Sequence, residues 1–584
     1  MRMNIRIDLN KRDLLTIAVL SILFFSLAVW NLGLTQTPIT TWQTNENEAF
    51  YIDLGEPASV GTVYFLVKNG SANVQVYTGS PGNWGDSRSF AIPTSYYSWS
   101  EVNINSLTRY VRFDFEQASI EVAEMALLSQ DNQRITIAAI NSENASDPNL
   151  AKLIDEQSLV QCPPTYMSET IFDEIYFVRS AEQYLNLQVP YEWTHPPLGK
   201  LIIAAGISIF GYNPFGWRIM GVIFATLIIP LIYILGKKLF GTWIGAFASA
   251  FLLTFDFMHF TMARMATVDT YVVFFSLASQ LFFLIYLKDV LKSGWKAPVQ
   301  PLFLAVLFFA LGFSTKWLVL YGFAGQLAIL AALRLKEVAK LKKGLSDKIY
   351  AFTDHPFSVL LGFLLVAVLV YFLTYIPDML AGRSVIEVLG LQGGMYNYHA
   401  TLTATHPYAS PWWTWPLMLK PVWLYVSYLP LNMKSTIVLL GNPALWWVGF
   451  VSIIFVAERA IQGKELAHRL WKKITKRLQT VESASRGKDL AAIFIVTFFF
   501  FQWLPYVLIS RITFLYHFYV NVPFLCLASA YFLSKYWTKW GKVAAVAYFA
   551  IVVVMFGLFY SVISGAPAST SWIDSLKWLN GWGF

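Results

Sequence analysis

Residues 215–241, FGWRIMGVIFATLIIPLIYILGKKLFG, decide the fold. From Trp217 to Leu235 the only charge is Arg218 at the start, and the run stops at Lys237 and Lys238. A bilayer core takes about 20 apolar residues of helix, and lysines just beyond one end mark the cytoplasmic face. Similar runs lie near 14–34, 241–256, 268–287, 301–314, 317–333, 357–377, 443–457, 490–508, 514–534 and 542–562. The sequence therefore predicts a polytopic α-helical membrane protein of about eleven spans. Composition agrees, with 56% hydrophobic and 13% charged residues. A formal charge of +8 would suit a nucleic-acid binder, but here the basic blocks alternate with apolar spans, as cytoplasmic loops do. No nucleic-acid partner is expected.

Loop charges set the orientation. The N-terminus carries Arg2, Arg6, Lys11 and Arg12 ahead of a run that lacks a small-residue cleavage site, so residues 1–37 read as a cytoplasmic segment and a retained first helix. Lys288, Lys292 and Lys296 mark a second cytoplasmic loop, Arg334 to Lys348 a third, Arg459 to Lys488 a fourth, and Lys535, Lys539 and Lys542 a fifth. Residues 38–130, the outer loop 131–216, the loop 378–440 and the tail 563–584 then fall outside, around a transmembrane core over 217–562. Cys162 and Cys526 are too few and too far apart for a disulfide framework or a cysteine metal site.

Between residues 38 and 130 apolar and polar residues alternate, with turn clusters such as KNGSAN and GSPGNWGDS between short runs. This is the pattern of an extracytoplasmic β-sandwich inserted after the first helix. Its IDLG, SWSEVNI and TRYVRFDFEQASIEVAEMAL segments resemble discoidin-like domains over about 90 residues. That resemblance implies either a sugar ligand or a spacer role.

The chemistry concentrates in residues 171–200, IFDEIYFVRSAEQYLNLQVPYEWTHPPLGK, with Asp173, Glu174, Trp193 and His195 just before an apolar segment. Lys200, Arg218, Arg264, Lys316 and Arg511 sit at the outer ends of spans, where positive-inside sorting does not explain them. Charges at such depth face a cavity or a partner, and five from separate parts of the chain suggest one anion held at the outer leaflet. The alternative is that some snorkel or pair with Asp256, Asp269 or Asp378. The loop 395–421 adds His399, His406, Tyr408 and a tryptophan cluster; the aromatics suit a sugar ring, while Trp412, Trp413 and Trp415 suit an interfacial belt. Arg511, Tyr516 and His517 share the mouth of a late span.

Adjacent acids on a helix point about 100° apart, so Asp173 and Glu174 are poorly placed to chelate one ion. The sequence also lacks a Walker loop and a His-Glu-x-x-His motif. One carboxylate acting as base, with cations stabilising a departing phosphate, fits better than metal chemistry. Phosphate leaves without a proton donor, so the second acid of glycoside hydrolysis is not needed.

The pieces FDEIYF, HPPLGK, WRIMG, ARMATVDT, FSTKW, HPYASPWWTWP and RITFLYHFY, in this order over roughly residues 170–535, resemble the protein O-mannosyltransferases of the GT-C class. The resemblance implies a metal-independent, inverting transfer of mannose from a polyprenyl-phosphate carrier to Ser or Thr of exported proteins. It places Asp173 as base, Glu174 as its support, and Lys200, Arg218, Arg511 and His517 near the lipid phosphate; no cofactor is expected. The absence of a β-trefoil insert points to a prokaryotic plasma-membrane enzyme. Two other readings stay open: a related transferase with another sugar or a lipid or glycan acceptor, and a lipid-linked sugar flippase. Against the flippase stand the outer position of the polar residues and the lack of an inverted repeat.

Overall fold

The computed structural model describes residues 8–44, 47–143, 147–342, 344–462 and 489–584. Arg2, Arg6, Lys343 and most of the fourth basic loop, residues 463–488, lie outside the described residues. The first helices in chain order are α1 (Lys11–Val29), α2 (Glu174–Leu185), α3 (Leu198–Phe210), α4 (Pro214–Phe240), α5 (Trp243–Thr254), α6 (Phe257–Ala263) and α7 (Asp269–Ser293). They continue with α8 (Gln300–Phe313), α9 (Val319–Val338), α10 (Leu345–Thr353), α11 (Phe357–Leu373), α12 (Ile376–Leu380) and α13 (Val385–Thr401). Helices over Pro443–Gln462, Leu490–Trp503, Val522–Lys535 and Lys539–Ile563 complete the membrane part.

Among the described residues nine helical segments are long and apolar enough to cross a membrane, ten if α5 and α6, bent by 58°, count as one broken span. Each expected span falls on a helical segment, but the one at 301–314 is α8, of 14 residues. At 1.5 Å per residue it is about 21 Å long, short of a hydrocarbon core of about 30 Å. It is held by packing between α7 and α11. The α5–α6 break has a local cause: buried Asp256 caps α6 by accepting from the His259 amide (2.9 Å) and also takes the Trp446 Nε1 proton (2.7 Å).

α1 and α4 run antiparallel. At one end Asp13 accepts from Tyr233 (2.7 Å) and Lys237 (3.1 Å); at the other Arg218 donates to the Leu32 carbonyl (3.1 Å). α4 starts on an Asn213 cap with Pro214 in its first turn and ends at Gly241, whose φ of 69° suits a residue without Cβ. Lys288 of α7 donates to the Lys238 carbonyl, so Lys237, Lys238 and Lys288 gather at one end of the bundle.

Outside the bundle, β1 (Trp42–Thr44), β2 (Glu48–Ser80), β3 (Asn83–Trp84), β4 (Arg88–Ser95), β5 (Ser98–Ser129), β6 (Arg134–Ile135) and β7 (Ala139–Ser142) form a seven-stranded antiparallel sheet. The two long strands pair twice: Val60 lies opposite both Ser106 and Ser129, and Val63 opposite both Val102 and Leu127. The folded-over strands enclose a core containing Trp42, Phe50, Phe65, Phe113 and Phe115. This sheet domain is fastened to the bundle. Lys68 pairs with Glu182 of α2 (2.7 Å), and Tyr97 shares an apolar cluster with Phe177 and Trp217.

The 378–440 region is more ordered than a loop. It contains most of α12, all of α13, and a hairpin of β8 (Val422–Leu429) and β9 (Met433–Leu439), to which the C-terminal tail adds β10 (Ala568–Ser569).

Candidate active site

Asp173 precedes the first turn of α2, and its side chain does not cap that helix. The residue before it, Phe172, has φ 51°, a left-handed conformation that is costly for a bulky side chain. This kink turns Asp173 into a small pocket of about 10 Å³, shared with Phe172, Met265, Thr267, Asp269 and Tyr516. Burial pushes the Asp173 carboxyl up to about 7; Asp269 and Glu192 add to the rise and Lys316 opposes it.

Glu174 points the other way. It accepts from the amides of Ile171 (2.9 Å) and Ala266 (2.8 Å) and from Nε and Nη2 along one edge of the Arg218 guanidinium. The neighbouring acids thus differ: Glu174 is locked, and the Asp173 carboxyl has no hydrogen-bond or ion-pair partner among the described residues.

Next to the Asp173 pocket is a cavity of about 490 Å³. Its polar lining includes His195, Lys316, His399, Arg511 and His517, and its apolar wall includes Leu318, Leu320, Tyr321, Leu508 and Ile509. Lys316 bridges the two spaces: it lines the cavity and pairs at 2.8 Å with Asp269, which lines the pocket. Arg511 has no carboxylate within ion-pair distance among the described residues and borders the same cavity.

One rim of the cavity is a relay of charge. His195 Nδ1 lies 3.0 Å from Glu192 Oε1, and Glu192 Oε2 is 2.8 Å from Lys200. Burial would raise the Glu192 carboxyl, but Lys200 and His195 outweigh it and hold the group well below its usual range. His399 Nε2 meets the Thr194 carbonyl at 2.9 Å, and its ring stands 5.3 Å from that of His195. Burial, helped by His195 and Arg511, lowers His399 to about 4, so it is neutral near pH 7.

The expectation that five cations surround one anion is corrected. Lys316 and Arg511 line the cavity, as does His517, but Lys200, Arg218 and Arg264 are spent inside the protein. Lys200 donates to the Glu192 carboxylate and to the carbonyls of Glu192 and His195. Arg218 holds Glu174 and the carbonyls of Leu32, Tyr166 and Glu169. Arg264 holds those of Ala28 (2.8 Å), Trp30 (2.6 Å) and Asn31 (2.8 Å), the open carbonyls at the end of α1. Buried cations are stabilised by such acceptors as well as by a ligand.

Three expected sugar contacts also fall outside the cavity lining. Trp193 packs edge-on against Tyr398 (5.8 Å), and His406 sits against Tyr408 (5.7 Å) and Phe514 (5.2 Å). Trp413 is exposed, as a belt residue would be, whereas Trp415 is buried against His517. Two acids went unrecognised as site residues. Glu192 carries a faint signal, lying three residues before His195 and eight before Lys200. Asp269 was visible only as one of several carboxylates that could pair with a cation. Among the described residues no group of three or more His, Cys, Asp or Glu is close enough to hold a metal ion.

Residues 194–372 match the family described as dolichyl-phosphate-mannose-protein mannosyltransferase, and residues 384–582 match the C-terminal four TMM region of protein-O-mannosyltransferase. Both matches lie after the sheet domain. A polyprenol-phosphate-mannose–protein mannosyltransferase of Mycolicibacterium smegmatis is 24% identical over 492 residues, covering 72% of this chain and 89% of the relative. The Mycobacterium tuberculosis protein of the same name is 26% identical over 486 residues, covering 70% and 86%. In structure, the chain superposes on the S. cerevisiae protein O-mannosyltransferase Pmt1-Pmt2 complex bound to the sugar donor with a TM-score of 0.56 at 14% identity. That superposition covers 71% of this chain and 89% of the other, and it bears on the fold alone.

Proposed function

The chain belongs to the protein O-mannosyltransferase family and moves mannose from a polyprenyl-phosphate carrier to proteins; we propose that transfer occurs in the Lys316–Arg511 cavity with Asp173 as base. The single observation that carries this reading is the position of Asp173. Among the described residues it is an unpaired carboxyl, and the cavity beside it is lined by two cations and by apolar side chains. Lys316 and Arg511 take the donor phosphate, and Leu318, Leu320, Tyr321, Leu508 and Ile509 take the start of the polyprenyl chain. His195, fixed by Glu192, and neutral His399 face the sugar side.

In the reaction an acceptor Ser or Thr gives its hydroxyl proton to Asp173 as its oxygen bonds to C1 of mannose. The C1–O bond to phosphate breaks, and its electron pair stays on the phosphate oxygen between Lys316 and Arg511. One displacement inverts the anomeric centre. The two cations meet the charge developing on the phosphate, the place where preorganised charge contributes most. No step calls on a metal ion or other cofactor.

The site faces the extracytoplasmic side in this reading. Lys237, Lys238 and Lys288 gather at one end of the bundle and Lys336 lies at the far end of α9, which marks that end as cytoplasmic. The cavity residues Lys316 and Arg511 belong to the opposite end, where α9 begins. For the sheet domain, its contacts with residues 168–170 and α2 favour a clamp on the Asp173 loop over a sugar ligand.

The test is purified protein with polyprenyl phosphate mannose and a Ser/Thr-rich peptide, read by intact mass. A hexose on the peptide, formed with chelator present and lost in Asp173→Asn, is the expected result. Full activity in Asp173→Asn would remove Asp173 as base. Transport of label across liposomes without transfer would favour a flippase.

A further inference from the structure

We propose that Asp269 is a positioning residue that couples donor binding to the strength of the base: phosphate in the cavity draws Lys316 away from Asp269, and the exposed Asp269 charge then acts on Asp173. The inference rests on the transfer reaction proposed above and assigns a further residue to it.

The geometry comes from two adjoining spaces with one cation between them. Asp173 and Asp269 both line a pocket of about 10 Å³, room for about one water molecule. Thr267 Oγ1, on the wall of that pocket, is buried and has no hydrogen-bond partner among the described residues, so a bound water would have a waiting contact. No hydrogen bond fixes the Asp173 carboxylate among the described residues. Lys316 holds Asp269 at 2.8 Å but also lines the 490 Å³ cavity, and its ammonium stands 5.7 Å from the ring centre of Tyr516. A flexible lysine in that position has two anions to choose between once a phosphate arrives.

Two carboxylates that share a small pocket cannot both ionise cheaply, and a cation beside one of them relieves the conflict. With Lys316 on Asp269 the conflict is muted. With Lys316 on phosphate, Asp173 meets an uncompensated charge and becomes a stronger base when the acceptor hydroxyl must be deprotonated. The other ionisable groups facing Asp173 are Glu192 from the loop before α3, Tyr516 from the late span and Tyr176 on its own helix. Among the described residues none of these is paired to a cavity lysine or arginine as Asp269 is to Lys316; Glu192 is held by buried Lys200 and by His195.

Two measurements test this. The first is calorimetry of polyprenyl phosphate mannose binding, without acceptor, in buffers of different ionisation enthalpy near pH 7. The donor is a phosphodiester with no group titrating there, so proton uptake reports the protein. Wild type should take up a fraction of a proton; Asp173→Asn, Asp269→Asn and Lys316→Gln should bind donor without uptake. The second is the pH profile of turnover at saturating donor and acceptor. Asp269→Asn should move the acid limb down by about one unit or more and lower the plateau, and Asp269→Glu should restore the wild-type limb. A uniformly slower Asp269→Asn with an unmoved limb, or no uptake by wild type, overturns the proposal. Should Asp269→Asn fail to fold, uptake by Lys316→Gln equal to that of wild type overturns it too. Asp269-dependent uptake in a protein that transfers no mannose at any pH would instead sink the transfer reading and leave the coupling standing.

Discussion

Arg218 closes on Glu174 with two hydrogen bonds, Nε to Oε1 at 2.8 Å and Nη2 to Oε2 at 2.6 Å, and the two side chains are 1% and 0% exposed. The same guanidinium holds the carbonyls of Leu32, Tyr166 and Glu169, so one side chain ties the end of α1, the Asp173 loop and α4 together.

Removing one partner of such a pair leaves a buried charge unmet and costs about 3–5 kcal/mol. Arg218→Met and Glu174→Gln should therefore lower the thermal midpoint of the detergent-solubilised protein by several degrees. Arg218→Lys should rescue little, because an ammonium cannot span both carboxylate oxygens. A normal midpoint with a selectively raised donor KM would return Arg218 to the phosphate site.

Asp173 gives opposite trends for activity and stability. As a base it must be ionised, so kcat/KM for the donor, which reports the free enzyme, should rise with pH through about 7. Its folded-state value lies above that of an unfolded chain, about 4, so the native state holds the proton more tightly. That contribution to stability is complete below about 4 and is lost as pH rises through about 7. Asp173→Asn should be inactive, yet no less stable than wild type at pH 8 and less pH-sensitive across that window. Unfolding curves at pH 5 and pH 8 check it; a variant that is less stable at both would mean the carboxylate is structurally required.

The cations separate by whether they line the cavity. Lys316→Met and Arg511→Met should raise the donor KM by about tenfold or more, since a hydrogen bond to a charged group contributes about 1.5–3 kcal/mol. Lys200→Met should instead lower stability, because it strips Glu192 of its counter-charge, and His406→Ala should leave both nearly unchanged. Initial rates over a donor series, alongside melting curves, distinguish these outcomes. Equal KM effects at Lys200 and Lys316 would contradict the division.

Much of this was legible from residue order alone. Apolar runs of spanning length gave the bundle, because lipid demands helices with internally satisfied backbones, and Lys316 and Arg511 stood out because a cation at the outer end of a span needs a reason. The sequence could not say which of five such cations was already satisfied. Arg264 has its hydrogen bonds met by the carbonyls of Ala28, Trp30 and Asn31, and carbonyls have no sequence signature. Asp269 was hidden for a similar reason: its partner Lys316 is 47 residues away and reaches it only through the packing of α7 and α8. α8 reads as a span in the sequence because a short helix buried between neighbours keeps the composition of a full one.

The sheet domain should matter to catalysis through geometry. Its β5 edge and the residues just before it hold the segment leading into Asp173: the Thr170 amide donates to the Tyr97 carbonyl (2.9 Å), the Thr170 hydroxyl to the Tyr96 carbonyl (2.6 Å), and Glu169 accepts from the Trp99 amide (2.9 Å). Three residues later the chain makes its left-handed turn at Phe172 and presents Asp173. Thr170→Val keeps the shape of the side chain but removes the hydroxyl bond, leaving the buried Tyr96 carbonyl short of a donor. Such a loss costs about 1–3 kcal/mol, and it falls on the segment that positions the base. Turnover should drop several-fold while the donor KM, set by Lys316 and Arg511, stays near wild type. Thr170→Ser, which keeps the hydroxyl, should recover most of the rate. A raised donor KM with normal turnover would show that the sheet domain acts on the phosphate side; no change in either would make it a passenger.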